Sequence, residues 1–218
     1  MFCKKIKFLL LSIIISYTFI TNSAGCGLCI GDQAPFFKAE STTGKINFPE
    51  DFPNKWVILF SHPADFTPVC TTEFKKLAEI NEKLKKLNCQ LIGISVDSTY
   101  THKLWLQSLG LGNTNPTRKV DFPVIGDTDM KVSKKYGMIH PNESKNQTVR
   151  SIYFIDPNHK IRAVFHYPLK NGRNFYEVVR LLAAMQLTDR DNVATPAGWK
   201  PGDKPISKEN AQQDIMPD

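Results

Sequence analysis

Residues 56–87 read WVILFSHPADFTPVCTTEFKKLAEINEKLKKL and join an apolar run to an amphipathic one through a short turn. The run WVILF is apolar throughout, which is typical of a strand buried on both faces. Beyond the turn, apolar residues recur at spacings of three and four and predict a helix over residues 68–87. Those residues are Phe74, Leu77, Ile80, Leu84 and Leu87. A buried strand that leads directly into such a helix indicates an α/β unit.

The same alternation of strand and helix patterns continues along the chain. Further strands are predicted at 91–96, 122–125, 151–155 and 161–167, and further helices at 102–109, 129–136 and 175–186. The sequence Asp-Pro-Asn-His between the last two strands is a hairpin signal, and Gly137 is a typical C-cap for the helix before it. This order predicts a mixed α/β sandwich with a central sheet, followed from Thr188 by an extended tail.

Length, composition and charge exclude several classes of protein. The chain has 218 residues, of which 41% are hydrophobic and 22% charged. This composition is globular and excludes collagen-like, disordered and multi-span membrane proteins. The formal net charge is +7, and it falls to +4 without the three lysines of residues 1–24. Because the remaining Lys and Arg residues are scattered, we expect no nucleic-acid partner.

The N-terminus has the pattern of an export signal. Three lysines are followed by an apolar run over residues 8–20 and by small residues near Ala24, which predicts a signal peptide over residues 1–24. The run is shorter than a membrane-spanning helix needs, although a retained anchor stays an alternative. A lipoprotein attached at Cys26 is a third interpretation. We therefore predict an exported protein, periplasmic or secreted.

The turn between the first strand and its helix places a cysteine in the first helical turn. Thr67 is a natural N-cap and Pro68 a natural first helical residue, so Cys70 is the third. Free backbone N–H groups and the helix dipole favour a thiolate there. The alternative is a small buried hydrophobic side chain. For His62 a packing role stays open, and we interpret Asp65 as a turn residue rather than a general base.

The other cysteines allow several interpretations. Cys26 and Cys29 form a Cys-Gly-Leu-Cys sequence, and Cys89 begins a predicted strand. Four cysteines in an exported chain permit two disulfides, but their spacing does not favour a stapled framework. Without a second cysteine pair or a histidine cluster the spacing is also poor for zinc, so we expect no metal. Cys89 is expected to be inert.

The sequence around Cys70 resembles the peroxiredoxin active-site motif Pro-x-x-x-Thr-x-x-Cys, which Pro63, Thr67 and Cys70 match. Residues 60–73 are similar to the longer string found in one-Cys (peroxiredoxin 6-type) peroxiredoxins. Four further blocks match the same class in order, and a fifth resembles its C-terminal extension. These are residues 31–35, 93–98, 122–125, 149–156 and 195–203.

The resemblance implies a thioredoxin-like fold over residues 29–186, with a C-terminal extension over residues 187–218. It implies a thiol-specific peroxidase that reduces hydrogen peroxide and organic hydroperoxides to water and alcohols in antioxidant defence, with no cofactor. Cys70 would be the peroxidatic cysteine and pass through a sulfenic acid. Arg150 would keep it ionised and hold the peroxide, Thr67 would hydrogen-bond both, and Pro63 would shield the thiolate. His62 and Glu73 would support the pocket.

The resemblance also implies partners, and here the chain departs from some relatives. The C-terminal extension has no cysteine, so recycling needs an external thiol, such as a thioredoxin-like protein or glutathione, or a resolving Cys26 or Cys29. An alternative function is a thiol–disulfide oxidoreductase that uses this pair. Ala64 stands where many one-Cys members have Arg. Residues 53–56 read Pro-Asn-Lys-Trp, with no serine where some relatives have Gly-Asp-Ser-Trp, so we expect no phospholipase activity. We expect a homodimer or higher homo-oligomer, with Trp199 and the tail as a plausible contact.

Overall fold

A computed structural model describes residues 27–112 and 119–207 as one seven-stranded sheet with four helices. The strands are β1 Phe37–Ser41, β2 Gly44–Phe48, β3 Trp56–Ser61, β4 Cys89–Ser95, β5 Val124–Gly126, β6 Arg150–Ile155 and β7 Ile161–Tyr167. The helices are α1 Pro68–Lys86, α2 Thr99–Ser108, α3 Lys131–Lys135 and α4 Phe175–Asp191. Within these described ranges, none of the helices is long and apolar enough to cross a bilayer.

The sheet is mixed, as the order of elements predicts. Its strand order is β2-β1-β5-β4-β3-β6-β7. Strand β3 pairs in parallel with β4 and antiparallel with β6, so it lies between the parallel and antiparallel parts of the sheet. All six residues of β3 are buried, which confirms the interpretation of WVILF as a strand covered on both faces. The predicted thioredoxin-like arrangement is confirmed.

The core lies in two layers because successive side chains of a strand point to opposite faces of a sheet. On one face, Ile58 and Phe60 of β3 pack with α1, α2 and α4. On the other face, Val57 and Leu59 pack with residues of β1, β2 and α3. Cys70 belongs to the first layer. The candidate active site therefore lies on the face of the sheet that packs against α1.

The structure differs from the sequence prediction near both ends of the fold. The hairpin of β1 and β2 is not predicted by the residue pattern. The last helix extends to Asp191 rather than ending at residue 186, and Asn192 then adopts a left-handed conformation with φ 52°. Both terminal guanidinium nitrogens of Arg162 bind the carboxylate of Asp189, each at 2.7 Å. This tertiary ion pair and the capping residue explain why the charged residues after Thr188 continue the helix.

The segment after α4 is also more ordered than an extended tail. The backbones of Ala194 and Ile206 exchange two hydrogen bonds of 2.9 and 2.8 Å. The indole of Trp199 is buried within the chain, and its Nε1–H donates to the carbonyl of Asp203 at 3.0 Å. The carbonyl of Trp199 accepts from Arg180 of α4 at 2.9 Å. The described part of the extension therefore packs against the end of the domain.

Candidate active site

Cys70 is fully buried at the third position of α1, directly after the loop that follows β3. Thr67 occupies the N-cap position in an extended conformation, and Pro68 is the first helical residue. The Thr67 side chain does not cap the helix, because its Oγ1–H donates to the carbonyl of Ala64 at 2.8 Å. The position of the helix start is as predicted, but the expected side-chain cap is wrong. The first-turn N–H groups therefore receive no hydrogen bond from the Thr67 side chain.

Arg150 reaches the cysteine from the neighbouring strand. It is the first residue of β6, which pairs with β3, and its Nη1 lies 3.4 Å from Cys70 Sγ. The other donors of the guanidinium bind the carbonyl of Leu169, from Nε at 2.9 Å and from Nη2 at 2.7 Å. The side chain is only 2% exposed. A buried guanidinium fixed in this way can hold a positive charge against the sulfur.

Glu73, one helical turn after Cys70, links two buried arginines. Its Oε2 accepts from Arg150 Nη1 at 2.8 Å and from Arg173 Nη2 at 2.7 Å. Its Oε1 accepts from the backbone N–H and the Nε of Arg173, both at 2.9 Å. Burial raises the pKa of this carboxyl, but the charge and hydrogen bonds of Arg173, with Arg150, outweigh burial and lower it overall. Glu73 is therefore ionised, and it holds Arg150 in position beside the sulfur.

Sequence reasoning missed Arg173. It precedes α4 in a loop without a motif, and nothing local marks it as different from a surface arginine. In the structure it is buried, and its Nη1 also donates to the carbonyls of Ser61 and Ser151, each at 2.8 Å. It thus ties together the end of β3, the start of β6 and the carboxylate of Glu73.

The substitution Glu73→Gln is expected to destabilise the fold by about 3 kcal/mol, because it leaves two buried guanidinium groups without their anion. The lowered pKa means that the contribution of Glu73 is fully present above its ordinary pKa of 4.5 and is lost as pH falls through the folded value. Urea unfolding of wild type and variant at neutral pH and in acid below that ordinary pKa should show the gap in free energy shrinking in acid.

Glu82→Gln is the matched control for this prediction. Glu82 lies on the same helix and pairs with Lys85, but its side chain is 71% exposed, so little change in stability is expected. Equal free energies of unfolding for Glu73→Gln and Glu82→Gln at neutral pH would contradict a bracing role for Glu73.

His62 and Pro63 are both buried at the start of the loop. The imidazole of His62 packs edge-on against Phe74 and stacks on Trp105, with ring centroids 4.9 and 5.5 Å apart. Burial lowers the pKa of His62, although the hydrogen bond to Asp65 opposes this. His62 is therefore a neutral packing residue that also binds Asp65.

Asp65 has more partners than the turn residue that the sequence predicts. Its carboxylate is buried and lies 2.9 Å from His62 Nε2 and 2.7 Å from His102 Nδ1. Burial raises the pKa of Asp65, but the hydrogen bonds from His102 and His62 outweigh it and lower the pKa overall. His102 comes from α2, and sequence reasoning gives it no role. The loop before Cys70 is thus bound by helix α2, which lies farther along the chain.

The remaining cysteines are placed away from this cluster or outside the described residues. Cys89 is buried at the start of β4, and burial raises the pKa of its thiol far above the usual range, as expected of an inert cysteine. Cys29 is exposed, and its neighbour Leu28 packs against the core layer opposite to that of Cys70. Cys26 and the predicted signal peptide lie outside the described residues.

Two family models match most of the chain. The model described as the AhpC/TSA family covers residues 30–164, and that of the C-terminal domain of 1-Cys peroxiredoxin covers residues 184–215. A peroxiredoxin of Aquifex aeolicus is 51% identical over 172 residues, which are 79% of this chain and 76% of the relative.

Solved structures are similar over nearly the same span. A mutant of peroxiredoxin 6 from Arenicola marina, in which one cysteine is replaced by serine, has a TM-score of 0.77 and 36% identity, covering 86% of this chain and 89% of the other. The yeast mitochondrial 1-Cys peroxiredoxin has a TM-score of 0.76 and 42% identity, covering 85% and 92%. The latter structure concerns resolution of its thiol by glutathione and thioredoxin systems.

These relatives correct the expected location. The yeast protein is mitochondrial, and neither the Aquifex nor the Arenicola protein is named as an exported one. The prediction of export is therefore wrong. It relied only on the composition of residues 1–24, where basic residues are followed by apolar ones.

Proposed function

Because the chain belongs to the AhpC/TSA family of peroxiredoxins and is a thiol-dependent peroxidase of the one-Cys class, we propose that Cys70 is the residue that attacks peroxide. The observation that carries this proposal is the 3.4 Å contact between its sulfur and Arg150 Nη1 in a buried site. A guanidinium stabilises the thiolate, which is the nucleophilic form of cysteine. The alternative thiol–disulfide oxidoreductase built on Cys26 and Cys29 is not favoured by the relatives.

In the proposed reaction the Cys70 thiolate attacks one oxygen of the peroxide. A sulfur–oxygen bond forms as the oxygen–oxygen bond breaks, so that the sulfur is oxidised to a sulfenic acid and the peroxide is reduced. The departing oxygen takes a proton and leaves as water or an alcohol. Arg150 faces the sulfur and stabilises the charge that moves onto the departing oxygen. Pro63 shields the sulfur from water. Thr67, whose Oγ1–H donates to the carbonyl of Ala64, keeps a lone pair of Oγ1 that can accept a hydrogen bond from the peroxide.

We propose that an external thiol returns Cys70 to its reduced state. The thiol attacks the sulfenic acid and releases water, and a second thiol reduces the mixed disulfide. Two observations support this. The segment that holds Cys29 packs on the opposite face of the sheet from Cys70, and the yeast neighbour is described with glutathione and thioredoxin systems. A thiol reductant of either kind is compatible with an antioxidant peroxidase.

Mass spectrometry of the full chain after one equivalent of hydrogen peroxide tests this assignment. With a sulfenic-acid trap present, we expect a single adduct on Cys70 in the wild type and in a Cys26→Ser/Cys29→Ser double variant. Both proteins should turn over peroxide at equal rates when dithiothreitol is the reductant. A disulfide from Cys70 to Cys26 or Cys29, with no trapped adduct, would show that the N-terminal pair resolves the enzyme.

We also propose that the chain forms a homodimer through the edge of its sheet. Strand β7 lies at one end of the strand order. Its first residue, Ile161, already exchanges backbone hydrogen bonds with Gly31 and Asp32, so pairing with a second copy would use the edge beyond Ile161. Trp199, the contact that the sequence suggests, is buried within its own chain and is not a candidate. Light scattering of wild type and of Val164→Pro, which alters β7, distinguishes a dimer built this way from a monomer.

A further inference from the structure

The loop before Cys70 contains a buried carboxylate between two histidines. Asp65 Oδ1 lies 2.9 Å from His62 Nε2, and Oδ2 lies 2.7 Å from His102 Nδ1. The other ring nitrogen of His102, Nε2, lies 3.0 Å from the carbonyl oxygen of Ile125 on β5. All three titratable side chains are buried. This cluster therefore connects the loop to α2 and, through His102, to β5.

The spacing of the cluster fits hydrogen bonds rather than a metal ion. Ligands at about 2.1 Å around a tetrahedral zinc lie roughly 3.4 Å from one another. The two contacts to Asp65 are shorter, at 2.9 and 2.7 Å, which is the normal distance for a hydrogen bond. The three residues are therefore bonded directly to each other.

The hydrogen-bond partners of His102 are both acceptors. A carbonyl oxygen can only accept, so His102 Nε2 must donate to Ile125. His102 Nδ1 faces a carboxylate oxygen of Asp65. The same carboxylate is bound by His62, and Asp97 accepts from the backbone N–H of Asp65 at 2.9 Å.

The same loop contains a residue whose backbone conformation is energetically unfavourable. Phe66 has φ 57°, in the left-handed region that a bulky residue avoids. Such a conformation persists where neighbours over-determine it. Here Asp65 is held at both its N–H and its carboxylate, and Thr67 Oγ1–H donates to Ala64 at 2.8 Å. The strained residue connects these anchors to the start of α1.

From these contacts we propose that His102 is a positioning residue for the peroxidase reaction. Its hydrogen bond to Asp65 holds the loop of residues 62–67 in the conformation that presents Cys70 to Arg150. His102 contacts neither the sulfur nor the peroxide and acts through Asp65. This inference rests on the proposed role of Cys70, since it explains how that residue is kept in place.

Two substitutions of His102 separate its two contacts. The amide nitrogen of asparagine reaches about the place of Nδ1 and can still donate to Asp65, whereas that of glutamine reaches about the place of Nε2 and can donate only to Ile125. We expect the rate of Cys70 oxidation by hydrogen peroxide to fall by about tenfold or more in His102→Gln. His102→Asn should restore most of that rate. Stopped-flow measurement of single-turnover oxidation gives both values.

A third variant is the control for loss of stability. Ile161→Ala removes buried side-chain volume from β7, in the core layer opposite Cys70, and destabilises the fold without touching the loop. At a temperature where all variants are folded, it should oxidise as fast as the wild type. Equal rates for His102→Asn and His102→Gln would overturn the proposal, as would a loss in each variant that only follows its loss of stability. A wild type whose Cys70 does not react would instead refute the proposed function.

Discussion

Replacing Cys70 with serine is expected to reduce peroxide turnover by a factor on the order of 10⁴ or more, because a hydroxyl is not ionised near neutral pH and is a poor nucleophile. The thiol is fully buried and belongs to the core layer formed with α1. Serine is nearly the same size and is expected to leave the fold in place. Peroxide consumption with excess dithiothreitol, together with circular dichroism, measures both effects.

Cys89→Ser is the matched control for this experiment. Cys89 is also buried, but it lies at the start of β4, and burial raises the pKa of its thiol so that it resists ionisation. We expect that variant to retain the wild-type rate with some loss of stability. A Cys70→Ser protein that consumes peroxide at the wild-type rate would refute the proposed function, whatever the control shows.

Replacing Arg150 with methionine is expected to lower the rate of Cys70 oxidation by about 10² to 10³, the usual cost of removing one charged donor from a reacting centre. Methionine keeps much of the apolar volume but removes the contact to Sγ at 3.4 Å and both bonds to Leu169. Glu73 keeps its bonds to Arg173, so the variant is expected to fold.

Arg150→Lys asks whether charge alone is sufficient. Lysine keeps the positive charge but lacks the planar fork that lets arginine bind Leu169, Glu73 and the sulfur together, so an intermediate rate is expected. Arg162→Met on β7, whose guanidinium pairs with Asp189, is the control for loss of an arginine ion pair elsewhere. A rate for Arg150→Met equal to that of Arg162→Met would exclude Arg150 from the reaction.

Much of the architecture follows from local patterns. The apolar run of β3 and the apolar spacing of α1 are properties of neighbouring residues, and both elements lie where predicted. Thr67 and Pro68 likewise mark the start of α1, since a helix terminus depends on the few residues around it. The local signal does not extend to the cap itself, because the Thr67 hydroxyl binds Ala64 instead.

Errors arise where distant residues decide the outcome. The predicted end of the last helix is too early because Asp189 is held by Arg162, which is 27 positions away in the sequence. The local sequence indicates a turn residue at Asp65. It does not show the bond to His102, because that residue becomes a neighbour only when α2 packs beside the loop. The export prediction relied on the composition of residues 1–24 alone, whereas the similar yeast protein is mitochondrial.

Local residue patterns are sufficient to establish the strand–loop–helix unit and the position of Cys70 in the first turn of α1. The sequence also contained the peroxiredoxin motif that implied the chemistry. The surroundings of the sulfur, by contrast, depend on tertiary contacts. Arg150 is 80 positions from Cys70, and Arg173 is 100 positions from Glu73. The pairing of β3 with β6 and the packing of α1 bring these charges together, and no local pattern of residues encodes distances that depend on which strands are neighbours.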